Sequence, residues 1–331
     1  MSNSREHITS ISKAIRTLVK LESSRLYTKG EAEIHKYPFG LWFRGHSRLG
    51  LKLEPRVFRD RLSERERAIV QVGSPGGERG RWEESNVYDH LRLRVPVHEH
   101  IYHSAFDWLC LMQHYSVPTR LLDWSESILP ALYFAVKDDK DCDGEVIVLN
   151  AYRLNILSKG RTNVAIPDEY HVVIRSEMAT TRSAKRLREK DKVTGALGLE
   201  SAEERVGSDW TNFLKPIAVF PRRLNERMTL QSSVFTIHGG KYYVPATRRL
   251  YEKRNDIIPE PVSLESIDRS QPARPILRRY IISKNDKSRI RNELFLMGIH
   301  EGTLFPEIDR QAVYLQDCWW YGDEPSAAGP Q

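Results

Sequence analysis

Two dense motifs constrain this chain most: Trp42-Phe43-Arg44-Gly45-His46-Ser47 and residues 113–136, QHYSVPTRLLDWSESILPALYFAV. In the first motif, Arg44 ends an apolar run and is followed by Gly45. This pattern is typical of a buried strand that brings a cation to a cleft and leaves room for a ligand beside the backbone. In the second motif, four polar residues around Pro118 precede an apolar helix; they are His114, Thr119, Arg120 and Asp123. Polar groups so close to core sequence are costly to bury without hydrogen bonds, and they indicate a functional site.

Composition favours a folded protein of the cytoplasm. The chain has 331 residues, 40% of them hydrophobic, which is enough for one large core or two modest ones. No segment approaches the roughly 20 apolar residues of a membrane span, and the start lacks the apolar centre of a signal peptide, so no membrane partner is expected. The 3 cysteines are widely spaced and form no CxxC pair. This pattern argues against structural zinc and a disulfide framework and favours a reducing compartment.

The charge is moderately positive. Lys and Arg number 51 against 44 Asp and Glu, a net charge of +7. The excess is concentrated in two basic blocks, at residues 182–190 and 274–291. Each block is either a solvated surface or a contact for nucleic acid or nucleotide phosphate, and the sequence leaves both interpretations open.

Hydrophobic periodicity predicts a single domain of the α+β class. Apolar residues recur every three or four positions near the start, which predicts a helix there. Alternating or continuous apolar runs and helix signals predict the remaining elements: a strand ending at Trp42 and Phe43, helices near 97–115, 127–137 and 287–297, and strands near 145–149, 216–220, 233–238 and 276–283. The charged segments 60–90 and 180–210 are predicted to be surface insertions. The predicted organisation is a helical segment over residues 1–34, the domain over residues 35–320, and a flexible tail over residues 321–331.

The motifs resemble those of the FRG domain family, which takes its name from the triplet that here is Phe43-Arg44-Gly45. Besides the two motifs above, NERMTLQSSVFTIHG (225–239) and GIHEGTLFPEIDRQAVYL (298–315) resemble family motifs in the same order. The resemblance extends over roughly residues 35–316. Because the family is found in bacteria and phages, it implies a toxin or phage-defence setting, in which an antitoxin or other regulatory protein would be a partner.

The layout of these motifs is similar to that of ADP-ribosyltransferases, which implies a split β core wrapped by helices and NAD as the substrate. Arg44 would hold the NAD pyrophosphate or ribose. Thr119 would fall near the Ser/Thr position that steadies the nicotinamide pocket, and His114 would help to orient the nicotinamide ribose and amide. The late acidic or amide position would be Gln231 or, less naturally, Glu307.

Other residues are expected to contact the cofactor. Gly45 would leave room for it, and His46 would either bind it or lie in an exposed loop. Arg120 would bind it, shape the turn after proline, or pair with Asp123. Arg227 and Gln231 are four residues apart, so on a strand edge they would share one face and clamp one ligand.

Asp123 and the metal question complete the expected site. Asp123 has the position of a cap for the following helix. No metal is expected, because the spacing of His98 and His103 does not suit one helical face.

One departure from the transferase pattern matters for mechanism. Glutamate is usual where Gln231 stands, and glutamine can neither act as a base nor offset the positive charge of an oxocarbenium ion. Either another carboxylate, from Asp123, Glu301 or Glu307, supplies that charge, or the site works differently.

The expected function is NAD-dependent ADP-ribosyl transfer to nucleic acid or protein. The alternatives are a nucleotide- or nucleic-acid-binding module without turnover and a metal-free nuclease that uses His114 and Arg44.

Overall fold

A six-stranded sheet organises the described parts of the chain. The computed structural model describes residues 6–23, 40–59, 84–95, 104–161, 163–169, 172–173, 175–176, 215–239 and 262–320. The strands in these parts are β1 (Leu41–His46), β2 (Leu121–Ser125), β3 (Gly144–Asn150), β4 (Ile217–Val219), β5 (Ser233–Ile237) and β6 (Leu277–Ile282). The helices in these parts are α1 (Ile11–Ser23), α2 (Glu84–Arg94), α3 (Ala105–His114), α4 (Ile128–Val136), α5 (Ala151–Lys159), α6 (Glu226–Leu230), α7 (Leu264–Arg269), α8 (Lys284–Leu296), α9 (Glu301–Leu304) and α10 (Ile308–Trp320).

The strand order is β4-β5-β2-β1-β3-β6, and every neighbouring pair is antiparallel. This confirms the predicted α+β class. β1 pairs with β3 along its whole length, whereas β1 and β2 pair at Phe43 and Ser125. The ladder does not continue to Arg44 and Trp124 or to Gly45 and Asp123, the pairs that would face each other next. The sheet therefore opens between its two central strands at the end of β1.

The two faces of the sheet carry different cores because successive side chains of a strand point to opposite faces. Residues of β1, β3 and β6 pack on one face with α1, α4 and α8. On the same face, α2 and α3 pack over β2, β4 and β5. The opposite face packs against α5 and α7.

Local signals explain where the helices begin and end. Ser127 accepts from the backbone N–H of Leu129 and caps α4, and Ser283 caps α8 in the same way. Gly298, with a φ of 76°, follows the end of α8 and supplies the left-handed conformation that commonly ends a helix. The strands predicted near 145–149, 216–220, 233–238 and 276–283 are confirmed as β3, β4, β5 and β6.

Some predicted boundaries need correction. β1 runs through His46 instead of ending at Phe43, so Arg44 lies inside the strand. The end of the predicted insertion 60–90 belongs to α2, where Glu84 and Tyr88 are buried, so this part is not a surface loop. Residues 60–83, 180–210 and the tail 321–331 lie outside the described parts of the chain. Among the described helices, none combines the length and apolar character needed to cross a membrane.

Candidate functional site

The triplet Phe43-Arg44-Gly45 is divided between the two faces of β1. Phe43 is buried in the core beneath α4. A Cβ at Gly45 would overlap the backbone of α4 at Ala131 and Ala135. Gly45 is therefore required by the close approach of a helix, and the expectation that it leaves room for a ligand is wrong.

Arg44 lies where β1 and β2 part. Its Nη1 donates to the carbonyl oxygen of Asp123 at 2.6 Å, and its Nε donates to Nε2 of His46 at 3.0 Å. Nη2 has no hydrogen-bond partner within the described parts of the chain, and 18% of the side chain is exposed. Burial lowers the pKa of Arg44 and the Asp123 carboxylate raises it. Arginine stays charged in proteins, so this guanidinium is a cation with an N–H group open to an anion.

Asp123 lies in β2, with 54% of its side chain exposed, and its carboxylate oxygen Oδ2 is 3.9 Å from Nη1 of Arg44. Gln113 donates to the same oxygen at 2.7 Å, and Thr119 donates to Gln113 at 2.6 Å. Since Ser127 caps α4, the expectation that Asp123 caps this helix is wrong.

Thr119 is fully buried, and its hydroxyl also accepts from the backbone N–H of Leu121 at 3.1 Å. Thr119 therefore shapes the turn into β2 and touches the exposed edge of the site only through Gln113.

Arg120 is occupied by a buried carboxylate. Its Nε and Nη2 lie 2.9 Å and 2.8 Å from Oε2 of Glu84, and its backbone N–H donates to Oε1 of Glu84 at 2.7 Å. Burial raises the pKa of Glu84, and Arg120 opposes that shift. Through Glu84, Arg120 links α2 to the start of β2. Since Arg120 is 2% exposed and pairs with Glu84, the expectations that it contacts a cofactor or pairs with Asp123 are wrong.

A second polar group lies at the end of α3. Oε1 of Glu307 is 3.4 Å from Nε2 of His114 and 3.6 Å from Nη1 of Arg227. Within the described parts of the chain, neither carboxylate oxygen of Glu307 accepts a hydrogen bond, although both are buried. Burial lowers the pKa of His114, as does Arg227, while Glu307 and Asp309 raise it.

Gln231 ends α6, so the expected strand edge is a helix. Its backbone N–H donates to the carbonyl of Arg227 at 2.9 Å, and the two side chains share a face because they are one helical turn apart. The side-chain amide of Gln231 donates to the backbone carbonyl of Leu304 at 3.0 Å. The backbone carbonyl of Gln231 accepts from the hydroxyl of Ser125 at 2.7 Å. Gln231 therefore lies where β2, α6 and α9 meet.

The polar residues around Arg44 and Asp123 lie next to those around Glu307. Gln113, in contact with Asp123, and His114, in contact with Glu307, are consecutive residues at the end of α3. Ser125 of β2 links the second group to the strand that carries Asp123. The candidate site is defined as Arg44, Gln113, His114, Asp123, Arg227, Gln231 and Glu307.

Two buried histidines, His46 and His238, interact with Arg44. His46 is 6% exposed and contacts Arg44 and Glu145, so it is not an exposed loop residue. His238 is also buried, and its pKa is lowered to about 3 by burial and by three arginines, one of which is Arg44. Sequence reasoning missed Glu145 and His238. The period-2 pattern of β1 puts Arg44 and His46 on one face, but only the pairing of β1 with β3 sets Glu145 opposite His46.

The basic block 274–291 is not one solvated face. Lys287 is buried and donates to three backbone carbonyls, those of Ser47, Asp138 and Asp139. The exposed members of this block include Arg274, Arg278 and Lys284. The other basic block, as well as His98, His100 and His103, lies outside the described residues. Within the parts that are described, His, Cys, Asp and Glu form no group that could hold a metal ion.

Comparison with known proteins identifies one domain. The family model of the FRG domain matches residues 40–144, which contain both motifs that constrain the chain most. Arg227, Gln231 and Glu307 lie beyond the matched segment. No curated protein and no solved structure matches the chain.

Proposed function

We propose that this FRG domain protein transfers ADP-ribose from NAD, with its site at the opening between β1 and β2. One observation carries the proposal: Arg44 places a guanidinium in that opening with Nη2 unengaged among the described residues, while Ser125 ties Gln231 to the adjacent strand. An opened central sheet is also what the similarity to ADP-ribosyltransferases implies.

Arg44 would bind the NAD diphosphate. A guanidinium can form paired, charge-assisted hydrogen bonds to phosphate oxygens, and its fixed fork favours one orientation of the ligand. Among the described residues, contacts to Asp123 and His46 take one N–H of Nη1 and the Nε–H, so the second N–H of Nη1 and those of Nη2 can form a paired contact. The partly exposed position of Arg44 makes it reachable by a ligand, unlike Arg120.

Glu307 would supply the negative charge that Gln231 lacks. When nicotinamide leaves, the ribose carbon gains positive charge, and a nearby carboxylate stabilises it. Glu307 suits this role because, among the described residues, its oxygens accept no hydrogen bond and its ion-pair contacts are with His114 and Arg227 alone. His114 and Arg227 would orient Glu307, and Gln231 would position the ribose or the acceptor.

The acceptor would be nucleic acid or protein. The net charge of +7 and the exposed Arg274, Arg278 and Lys284 favour a nucleic-acid acceptor. A toxin or phage-defence role, with an antitoxin or regulatory protein as partner, rests on the bacterial and phage setting of the FRG family.

The test is incubation of purified protein with NAD labelled in the adenylate, with RNA, DNA and protein as acceptors. Nicotinamide release and transfer of label are expected for the wild type. Both should fall by at least about a hundredfold in Glu307→Gln, the magnitude typical of a lost transition-state contact. Arg289→Lys, an exposed change on α8, is the matched control and should retain activity.

Binding of NAD without nicotinamide release in any mixture would instead support a nucleotide-binding module. That outcome has an observation in its favour, since the amide of Gln231 already donates to Leu304. Cleavage of unlabelled RNA in EDTA would point to the metal-free nuclease.

A further inference from the structure

His46 connects Arg44 to a buried carboxylate. Its Nε2 lies 3.0 Å from Nε of Arg44, and its Nδ1 lies 3.2 Å from Oε1 of Glu145. With only 6% of His46 exposed, the ring has no room for direct contact with a ligand in solution. The expectation that His46 binds a cofactor directly is therefore replaced by a connection that acts through Arg44.

The chemistry of the two neighbours determines the tautomer of this histidine. Nε of Arg44 always carries a hydrogen, so Nε2 of His46 must be the acceptor. The single N–H of the neutral ring is then on Nδ1, where it donates to the carboxylate of Glu145. The geometry therefore requires a neutral ring protonated at Nδ1.

Glu145 is itself held in place. Oε1 of Glu145 lies 2.8 Å from Nη1 of Arg279, and Nη2 of Arg279 lies 3.1 Å from Glu265. Burial raises the pKa of Glu145, but hydrogen bonds and charge from His46 and Arg279 outweigh it, and the net shift is downward. Glu145 is thus a carboxylate that can accept from His46.

We infer that His46 is a positioning residue that holds the Arg44 guanidinium in the opening between β1 and β2, and that protonation of the His46 ring releases Arg44 from this orientation. A protonated ring carries a hydrogen on Nε2, which would face the N–H of Arg44 and could no longer accept from it. The consequence for NAD rests on the proposed function, whereas the link between His46 and Arg44 does not.

Burial, together with the charges of Arg44 and Arg279, favours the neutral His46 ring. Arg44 faces it from β1, Glu145 from β3 and Arg279 from β6, while Lys287 of α8 reaches the carbonyl of the adjacent Ser47. Burial lowers the pKa of His46, and the hydrogen bond and charge of Glu145 only partly oppose this. The ring therefore stays neutral at neutral pH and is protonated below the ordinary histidine pKa of about 6.5.

Two substitutions separate the two contacts. The amide oxygen of His46→Gln can reach the position of Nε2 and keep an acceptor for Arg44. In His46→Asn the shorter side chain reaches only the position of Nδ1, so it keeps the contact to Glu145 and loses the one to Arg44.

The measurement is the side-chain Nε–H signal of Arg44 by NMR in arginine-labelled protein, assigned with Arg44→Lys. The signal should be protected from exchange in the wild type and in His46→Gln at neutral pH. It should lose protection in His46→Asn and in the wild type as His46 is protonated, and nitrogen shifts of His46 should show the proton on Nδ1. NAD binding by calorimetry should weaken about tenfold to a hundredfold in His46→Asn, as expected when a hydrogen bond to a charged group is lost.

The inference is overturned if the proton of His46 lies on Nε2, or if the Arg44 signal is unchanged through the titration. If the signal behaves as expected but wild-type protein binds no NAD at any pH, the positioning role stands and the proposed function fails. Should His46→Asn not fold, the titration of the wild type decides.

Discussion

Nη1 of Arg44 donates to the backbone carbonyl of Asp123 at 2.6 Å, at the point where the ladder between β1 and β2 stops. If the ladder continued, Asp123 would pair with Gly45. Instead, the side chain of Arg44 contacts the backbone of β2 where the pairing of the two strands has ended. This contact places the cation of the FRG triplet at the opening of the sheet, with its partner carboxylate half in solvent.

Replacement of Arg44 should separate activity from stability. Arg44→Lys cannot reproduce a paired contact with phosphate, so NAD turnover should fall by at least about tenfold while the fold remains. Arg44→Ala leaves no buried carboxylate unpaired, because Asp123 is exposed, and should cost only about 1–3 kcal/mol for the lost hydrogen bonds. Thermal unfolding and NAD consumption on the same samples check this. A cost above about 4 kcal/mol would assign Arg44 to the scaffold.

Gly45→Ala should destabilise the protein strongly. The added methyl group would overlap the backbone of α4 at Ala131 and Ala135, and backbone cannot swing aside as a side chain can. We expect a loss of about 3 kcal/mol or more, at the upper end of overpacking effects. Gly50→Ala is the control: an alanine there meets no neighbour, although its φ of 76° is unfavourable, so it should cost about 1 kcal/mol. Equal losses for both variants in urea unfolding would contradict the packing explanation.

Glu84→Gln should cost about 3–5 kcal/mol, because it leaves the buried charge of Arg120 without its counterion. Replacement of both residues, in Glu84→Gln with Arg120→Met, should recover part of that loss, since no charge is then stranded. A double-mutant cycle by urea unfolding measures the coupling between them. Additive losses would show that the two side chains do not act as a pair.

Acid should weaken the fold through His238, whose Nε2 contacts Thr236 at 3.0 Å. Burial, Arg175, Arg120 and Arg44 lower the pKa of His238 to about 3. The unfolded chain binds this proton near the ordinary pKa of about 6.5, so the stabilising effect is complete above that pH and is lost as the pH falls toward 3.

The effect of His238 should reach about 2 kcal/mol between roughly pH 7 and pH 5. His46, His114 and His300 also have lowered pKa values. The wild type must therefore be compared with His238→Gln, which lacks His238 but retains these three histidines. The dependence of the unfolding free energy on pH should be shallower in that variant. An identical dependence in both proteins would rule out His238 as its source.

The sequence predicted the α+β class and most of the strands, but it predicted no strand at Leu121–Ser125, which forms the central strand β2. Apolar runs along residues 145–149 and 233–238, a serine ahead of α4 and a glycine after α8 are local signals, because each acts on the backbone through neighbours close in sequence. The motifs also predicted that Arg44 belongs to an apolar strand and that roughly residues 35–316 resemble the FRG family, whose model matches residues 40–144.

The contacts of each polar residue depend on the tertiary structure. Arg120 has a carboxylate near it in sequence, Asp123, yet it pairs with Glu84 because α2 packs against the start of β2. A glycine at position 45 is compatible with a ligand or with a helix packed against the strand. Because α4 crosses β1 there, the helix occupies the space beside Gly45. Ion pairs and close approaches depend on distances between elements that are far apart in sequence, and these distances exist only once the sheet has ordered its strands.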